Sequence, residues 1–294
     1  ASGVCKEVIA KQGLTLKLIR VFPRHTNTTP TDEFAIVGRG PQLFDEADEV
    51  HISVTFSWDI PVAEKLAEEW EIVAPVKVGG PAYKDIGGEF IPGKYIKEGY
   101  TITSRGCPNT CWFCKVWQNE GRTIRELEIH DGWNLLDNNI FACSQKHQTA
   151  VYEMLLRQPK KPRFTGGLEA ARMTVWNAEW LAKLKPDYSY FAYDTPDDYE
   201  PLENAAGLLR SVGLLRNHEI GCYVLIGYPK DSFSSAEARL IKTVRLGYFP
   251  QAMLYNKGSG RSDVKGWRRF QREWANKTIV GHKMKQYAAR DDVK

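Results

Sequence analysis

From Glu49 to Trp58 apolar residues take every second position, with Val50, Ile52, Val54 and Phe56 on one face; this is the period of a strand. Leu14 to Phe22, apolar and partly β-branched, and Ile72 to Val78 predict two more short strands. Between the last two segments the period lengthens. Pro61 opens a stretch with Val62, Leu66 and Trp70 at helical spacing and acidic residues between them, which predicts a helix. This strand, helix, strand unit ends in Gly79-Gly80-Pro81, and residues 1–98 are expected to form a small, incomplete α/β domain. Residues 81–100 are rich in Gly, Pro and Lys and read as a linker.

Beyond residue 99 the alternation becomes regular. Strand candidates at Tyr100 to Ser104, Leu135-Leu136, Arg163 to Thr165, Tyr188 to Tyr193, Cys222 to Ile226 and Ala252 to Tyr255 are mostly followed by a polar or glycine loop and then a helical pattern. Leu202, Ala205, Ala206, Leu209 and Val212 repeat at three and four residues. Ser234 or Ser235 can cap a helix carrying Ala238, Ile241 and Val244. The expected class is α/β, with residues 99–256 forming a partial (β/α)6 barrel in preference to a flat doubly wound sheet, although periodicity separates the two only weakly. Either arrangement gathers the polar strand ends on one rim. Residues 257–294 form a basic extension in which Arg261, Lys265, Arg268, Arg269 and Arg272 interleave with Trp267 and Trp274. Trp267, Phe270 and Trp274 lie at offsets of three and four, so an amphipathic helix with a solvated basic face is preferred over a surface that embraces a nucleotide, nucleic acid or anionic peptide.

Composition adds limits. Among 294 residues, 40 Lys and Arg oppose 36 Asp and Glu, so overall charge says little about a nucleic-acid partner. Its placement says more, because Lys265 to Lys294 holds nine basic residues against three acidic ones. There is no apolar run long enough for a transmembrane helix and no secretion-signal block near residue 1, so a cytoplasmic location without a membrane partner is expected. Of six cysteines three fall within eight residues, while Cys5, Cys143 and Cys222 are scattered. That distribution suits one metal site and three separate thiols.

The dense group lies in Ser104-Arg105-Gly106-Cys107-Pro108-Asn109-Thr110-Cys111-Trp112-Phe113-Cys114. Three thiolates at spacings of four and three, on a loop that Gly106 and Pro108 let curl, can close around one iron-sulfur cubane. With only three protein thiolates, one iron stays open to a small molecule. Zinc usually takes two spaced ligand pairs, and neither His130 nor His147 stands at finger spacing. Cys143, four residues after Asn139, is a candidate catalytic residue that could donate a hydrogen atom, anchor a substrate or approach a metal. A small core residue is its plain alternative.

This cysteine pattern, with Phe113 just before Cys114, resembles the radical S-adenosylmethionine superfamily. The resemblance implies that Cys107, Cys111 and Cys114 hold a [4Fe-4S] cluster and that S-adenosylmethionine chelates the open iron. An electron from the cluster would then split the sulfonium to a 5'-deoxyadenosyl radical, which removes hydrogen from a substrate. It further implies that Thr165-Gly166-Gly167-Leu168-Glu169 is the loop for the methionyl amino group, with Glu169 a polar contact. Asp194 would hold the ribose hydroxyls, Gly227 would admit the adenine, and Asn138 and Asn139 would bind cofactor or substrate. A helix cap at Asp194 and simple turns at Gly227 and Asn138-Asn139 are the structural alternatives. A reducing partner such as flavodoxin or ferredoxin is expected, and the substrate is unidentified, with an anionic or nucleotide-like molecule in view. The N-terminal unit resembles a shortened version of the module that precedes the radical domain in cobalamin-binding members. It lacks an Asp-x-His-x-x-Gly loop, so cobalamin is not expected. Cobalamin-assisted radical methyl transfer and a non-enzymatic, metal-stabilised nucleic-acid-binding protein are the competing readings.

Overall fold

A strand is worth forming only where one face finds an apolar partner, and the chain meets this condition in two places. The computed structural model describes residues 16–85, 89–215, 220–255 and 264–288; Cys5, Leu14 and Arg261 lie outside them. The chain divides into two compact units, one of residues 1–102 with 127–132 and the other of 103–126 with 133–294.

In the first unit, β1 (Leu18–Phe22), β2 (Ala35–Val37), β3 (Glu49–Ser53) and, after helix α1 (Ile60–Trp70), β4 (Val76–Gly79) form a parallel sheet in the order β2-β1-β3-β4. Ile19, Val21, Val50, Ile52 and Val54 pack on Ala63, Leu66 and Trp70. Two expectations change here. Val62 is exposed and Ala63 takes its place on the buried face, because Ala63, Leu66 and Trp70 are the residues that share the inward stripe. Ile72 is exposed as well; the chain turns between Trp70 and Ala74 before β4 begins. Nor are residues 89–99 a free linker. The buried Arg20 side chain donates to the carbonyls of Gly93 and Lys94 at 2.8 Å each and pairs with Asp32, tying that stretch to β1. Strand β5 (Tyr100–Thr101) ends the long first segment of this unit. Residues 127–132 return to it, with Thr101 Oγ1 donating to His130 O at 3.0 Å and the Phe90 and His130 rings in contact.

In the second unit, β6 (Ser104–Arg105), short helix α2 (Val116–Asn119) and β7 (Arg125–Glu126) enclose the cysteine loop, with β6 and β7 antiparallel. The single strand expected from Tyr100 to Ser104 is thus broken at Ile102-Thr103. Then follow β8 (Asn134–Leu135), α3 (Gln145–Leu156), β9 (Arg163–Phe164), α4 (Val175–Leu184), β10 (Tyr188–Tyr193), α5 (Tyr199–Ser211), β11 (Gly221–Ile226), α6 (Phe233–Arg245), β12 (Phe249–Leu254), α7 (Val264–Ala275) and α8 (Lys277–Ala288). Strands β8 to β12 are neighbours in sequential order in one sheet, and each of these pairs is parallel. A helix separates each of these strands from the next. One face is sealed: Phe164, Ser189, Phe191, Tyr193, Cys222, Val224, Ile226 and Ala252 are buried. The opposite positions, Arg163, Tyr188, Tyr223, Gln251 and Met253, keep partial or full exposure. Helix α7 packs against β12, buries Trp267 and Trp274 and exposes Lys265, Arg268, Arg269 and Arg272. No helix among the described residues is long and apolar enough to cross a membrane.

Candidate metal centre

Parallel strands deliver their C-terminal ends to one side of a sheet, so the loops after β8, β9, β10 and β11 share a rim. Asp137-Asn138-Asn139, Gly166-Gly167-Glu169, Asp194 and Gly227 all lie on those loops. The cysteine loop leaves β6 two residues before Cys107. It is shaped by Gly106, whose φ is +89° and where a Cβ would stand 2.3 Å from Thr123 O. Only glycine fits both constraints. Cys107 N donates to Gly121 O at 3.2 Å and Cys114 N to Cys111 O at 3.1 Å, while Trp117 Nε1 donates to Cys111 O at 3.0 Å. The loop is curled by its own backbone, and its three thiols are free and partly exposed.

Glu120, which the sequence reading did not single out, organises this loop. Its carboxylate accepts from Arg105 Nη1 at 3.2 Å, from Gly106 N at 3.3 Å and from Asn138 Nδ2. It joins the segment before the first cysteine to the end of β8. Its only sequence signal is an acidic side chain just before Gly121.

Asn139 has the most telling position. It is 4% exposed, and its Nδ2 lies 3.7 Å from Cys107 Sγ and 2.5 Å from Glu169 Oε2. Its Oδ1 is buried and has no partner among the described residues. Glu169 also accepts from Arg172 Nε at 2.8 Å. The glycine loop is pressed onto the end of β8: a Cβ on Gly166 would come within 1.9 Å of Asp137 O. Thr165 N and Gly166 N both donate to Leu135 O.

Asp194 does not cap the following helical segment. Thr195 and Asp198 do, with Asp198 Oδ2 accepting from Asp194 N at 2.8 Å and Thr195 N at 2.7 Å. The Asp194 carboxyl itself accepts from Leu225 N, and its pKa is raised to about 7, by burial first and by the neighbouring Asp198 second. Gly227 N donates to Asp231 Oδ2 at 2.8 Å. The side of Gly227 left open by its missing Cβ is filled by Leu254 and Trp267, so packing alone accounts for a glycine there. Asp231 is held by both Nη atoms of the buried Arg239, a pair without a sequence signal.

Loss of water raises the pKa of the Cys111 thiol to about 11, with Cys114, Cys107, Asp194 and Asp198 adding to it. Burial raises Cys114 too, against the opposing effect of the Val116 N–H. Two thiols that burial and neighbouring negative charge keep protonated suit a cation, which expels the thiol protons on ligation. Three thiols are the donor type that an iron-sulfur cluster takes, and among the described residues the buried Asn139 Oδ1 has no partner. Cys143, by contrast, is 7% exposed, its Sγ 3.9 Å from Asn139 O, and burial lifts its pKa to about 12. Cys222 is buried on the sealed face of β11.

No protein-family model matches the chain, and no curated protein sequence matches it either.

Proposed function

We propose that this chain is a radical S-adenosylmethionine enzyme: Cys107, Cys111 and Cys114 hold a [4Fe-4S] cluster that cleaves S-adenosylmethionine reductively, and hydrogen is then taken from a substrate. The observation that carries the reading is the Asn139 amide. It lies between Cys107 of the cysteine loop and Glu169 of the glycine loop, two motifs 62 positions apart in sequence. A bare structural zinc site would have no need of the second motif. When bound, the cluster supplies the electron and the sulfonium supplies the abstracting radical. The chain's residues then have separate duties. Glu120 fixes the cysteine loop, Glu169 accepts from a protonated amine, and Asp194 offers a carboxyl to ribose hydroxyls. The sequential parallel order of β8 to β12 supports a partial barrel, with the exposed positions around Tyr188, Tyr223 and Gln251 as its interior wall. No corrin-binding role is assigned to the first unit.

The test is anaerobic reconstitution with iron and sulfide. Electron paramagnetic resonance of the reduced protein, with and without S-adenosylmethionine, is paired with assay of 5'-deoxyadenosine. A four-iron signal that changes on addition of the cofactor, together with cleavage, supports the reading. A folded chain that takes stoichiometric zinc and no cluster overturns it in favour of a metal-stabilised binding protein.

A further inference from the structure

We propose a second metal site, built from Asp137, Cys143 and His147, that holds a zinc-class divalent cation and fastens the base of the cysteine loop. One ligand atom from each residue lies within 4.8 Å of the other two. The residues are 2%, 7% and 7% exposed, unlike the carboxylate groups that gather by chance on a surface. Thiol, imidazole and carboxylate are the three side chains from which zinc sites are made, and thiolate sulfur disfavours calcium or magnesium.

Two further observations point the same way. The first is charge. The Asp137 carboxylate is out of water, and its hydrogen-bond donors are neutral: Thr103 N at 2.6 Å, Thr103 Oγ1 at 2.6 Å and Ser104 Oγ at 2.7 Å. A buried carboxyl group either keeps its proton or is matched by a cation or a metal, and among the described residues no lysine or arginine pairs with this one. The second is the arrangement behind the imidazole. His147 Nδ1 faces Glu126 Oε2 at 3.9 Å, and Glu126 is itself fixed by the N–H of Ser144 at 2.6 Å. A carboxylate that accepts from one ring nitrogen is the usual support of a histidine that gives the other to a metal, and Glu126 stands on that side of His147, just beyond hydrogen-bond reach. That other nitrogen, Nε2, is 3.2 Å from Thr103 Oγ1, the hydroxyl already on Asp137. The ion would therefore join the end of β8, the loop before α3 and the first turn of α3, beside the Thr103-Ser104 segment that leads into Gly106 and Cys107.

The hydrogen bonds from His147 through Thr103 to Asp137, with Glu126 beside the imidazole, could close without an ion, and metal binding separates the two accounts. Cobalt(II) is titrated anaerobically into the chain carrying Cys107→Ala, Cys111→Ala and Cys114→Ala, which removes the cluster ligands. The expected result is one cobalt per chain with a thiolate-to-cobalt charge-transfer band, and loss of that band when Cys143→Ala is added. A folded triple variant that binds no cobalt through sulfur, or a band that survives Cys143→Ala, overturns the proposal. If the triple variant does not fold, elemental analysis of the purified native chain decides: one zinc-class ion per chain, retained beside iron and lost in His147→Ala, supports the site. Its absence from the native chain, or its retention in His147→Ala, rejects it. Neither arm depends on S-adenosylmethionine cleavage.

Discussion

Asn139 places a hydrogen-bond donor against a sulfur that would ligate iron. N–H···S bonds stabilise the more negative, reduced state of a cluster and so raise its potential. Asn139→Leu keeps much of the volume and removes the donor. The variant is expected to load a cluster with a more negative midpoint potential, measured by potentiometric titration of its resonance signal. An unchanged midpoint would mean that the 3.7 Å contact carries no weight in the loaded protein. Asp194 gives a different signal. Its pKa is raised to about 7, above the ordinary carboxylate value. Between those two values the native chain holds a proton that the unfolded chain releases, so stability is lost progressively across that interval and levels off once pH is above about 7. In cluster-free protein, Asp194→Asn is expected to match the native chain below pH 3.8, to gain on it in unfolding midpoint as pH rises from there to about 7, and to keep a constant lead above that. A constant difference across the interval would argue against the shifted carboxyl. At this scale the sequence pointed to positions and not to partners. Asn139 could be singled out from its place after a strand, but its contacts with Cys107 and Glu169, and the part played by Glu120, span 14 to 32 positions and no spacing rule reveals them.

The elements depend on alternation as much as on propensity. Strands β3, β10 and β11 were legible because their buried positions are almost wholly apolar. Helices α3 and α4 were not singled out, and the reason is visible in their buried faces. His147, Gln148 and Asn177 occupy inward positions and break the apolar stripe, yet Asn177 Nδ2 donates to Gln148 Oε1 at 2.9 Å and replaces an apolar contact with a polar one. The short pair β6 and β7 has two residues per strand, too few for any period to show. Helix α6 presents the sharpest test of such hidden polar contacts. Arg239 is 5% exposed, and it clasps Asp231 while donating to Leu225 O at 2.9 Å. Arg239→Ala would leave Asp231 as an uncompensated carboxylate, at a cost of about 3–5 kcal/mol. The measurement is the shift in urea midpoint relative to Arg239→Ala combined with Asp231→Ala. The double variant is expected to recover part of the loss, and no recovery would reduce the pair to ordinary packing.

At the scale of the molecule, the pattern of the chain predicted a small α/β domain followed by a partial (β/α)6 barrel; parallel α/β architecture is what both units display, and the strand order alone does not close a barrel. The structure divides between Ile102 and Thr103. What the pattern did not reveal is the return of residues 127–132 to the first unit, because those six positions, Leu-Glu-Ile-His-Asp-Gly, carry no period of their own. A fragment that begins at Thr103 therefore keeps a segment whose partners it lacks. Limited proteolysis is expected to cut this fragment between Leu127 and Gly132 faster than the intact chain, as followed by mass spectrometry. Equal cleavage rates would show that the segment does not depend on the first unit. The same stitch limits inheritance. A genetic crossover at any single point can transfer one unit whole only if the other unit's fold tolerates a foreign six-residue patch. The two halves are thus expected to have travelled through evolution as a pair, and chimeras that exchange residues 1–102 should need 127–132 from the same parent.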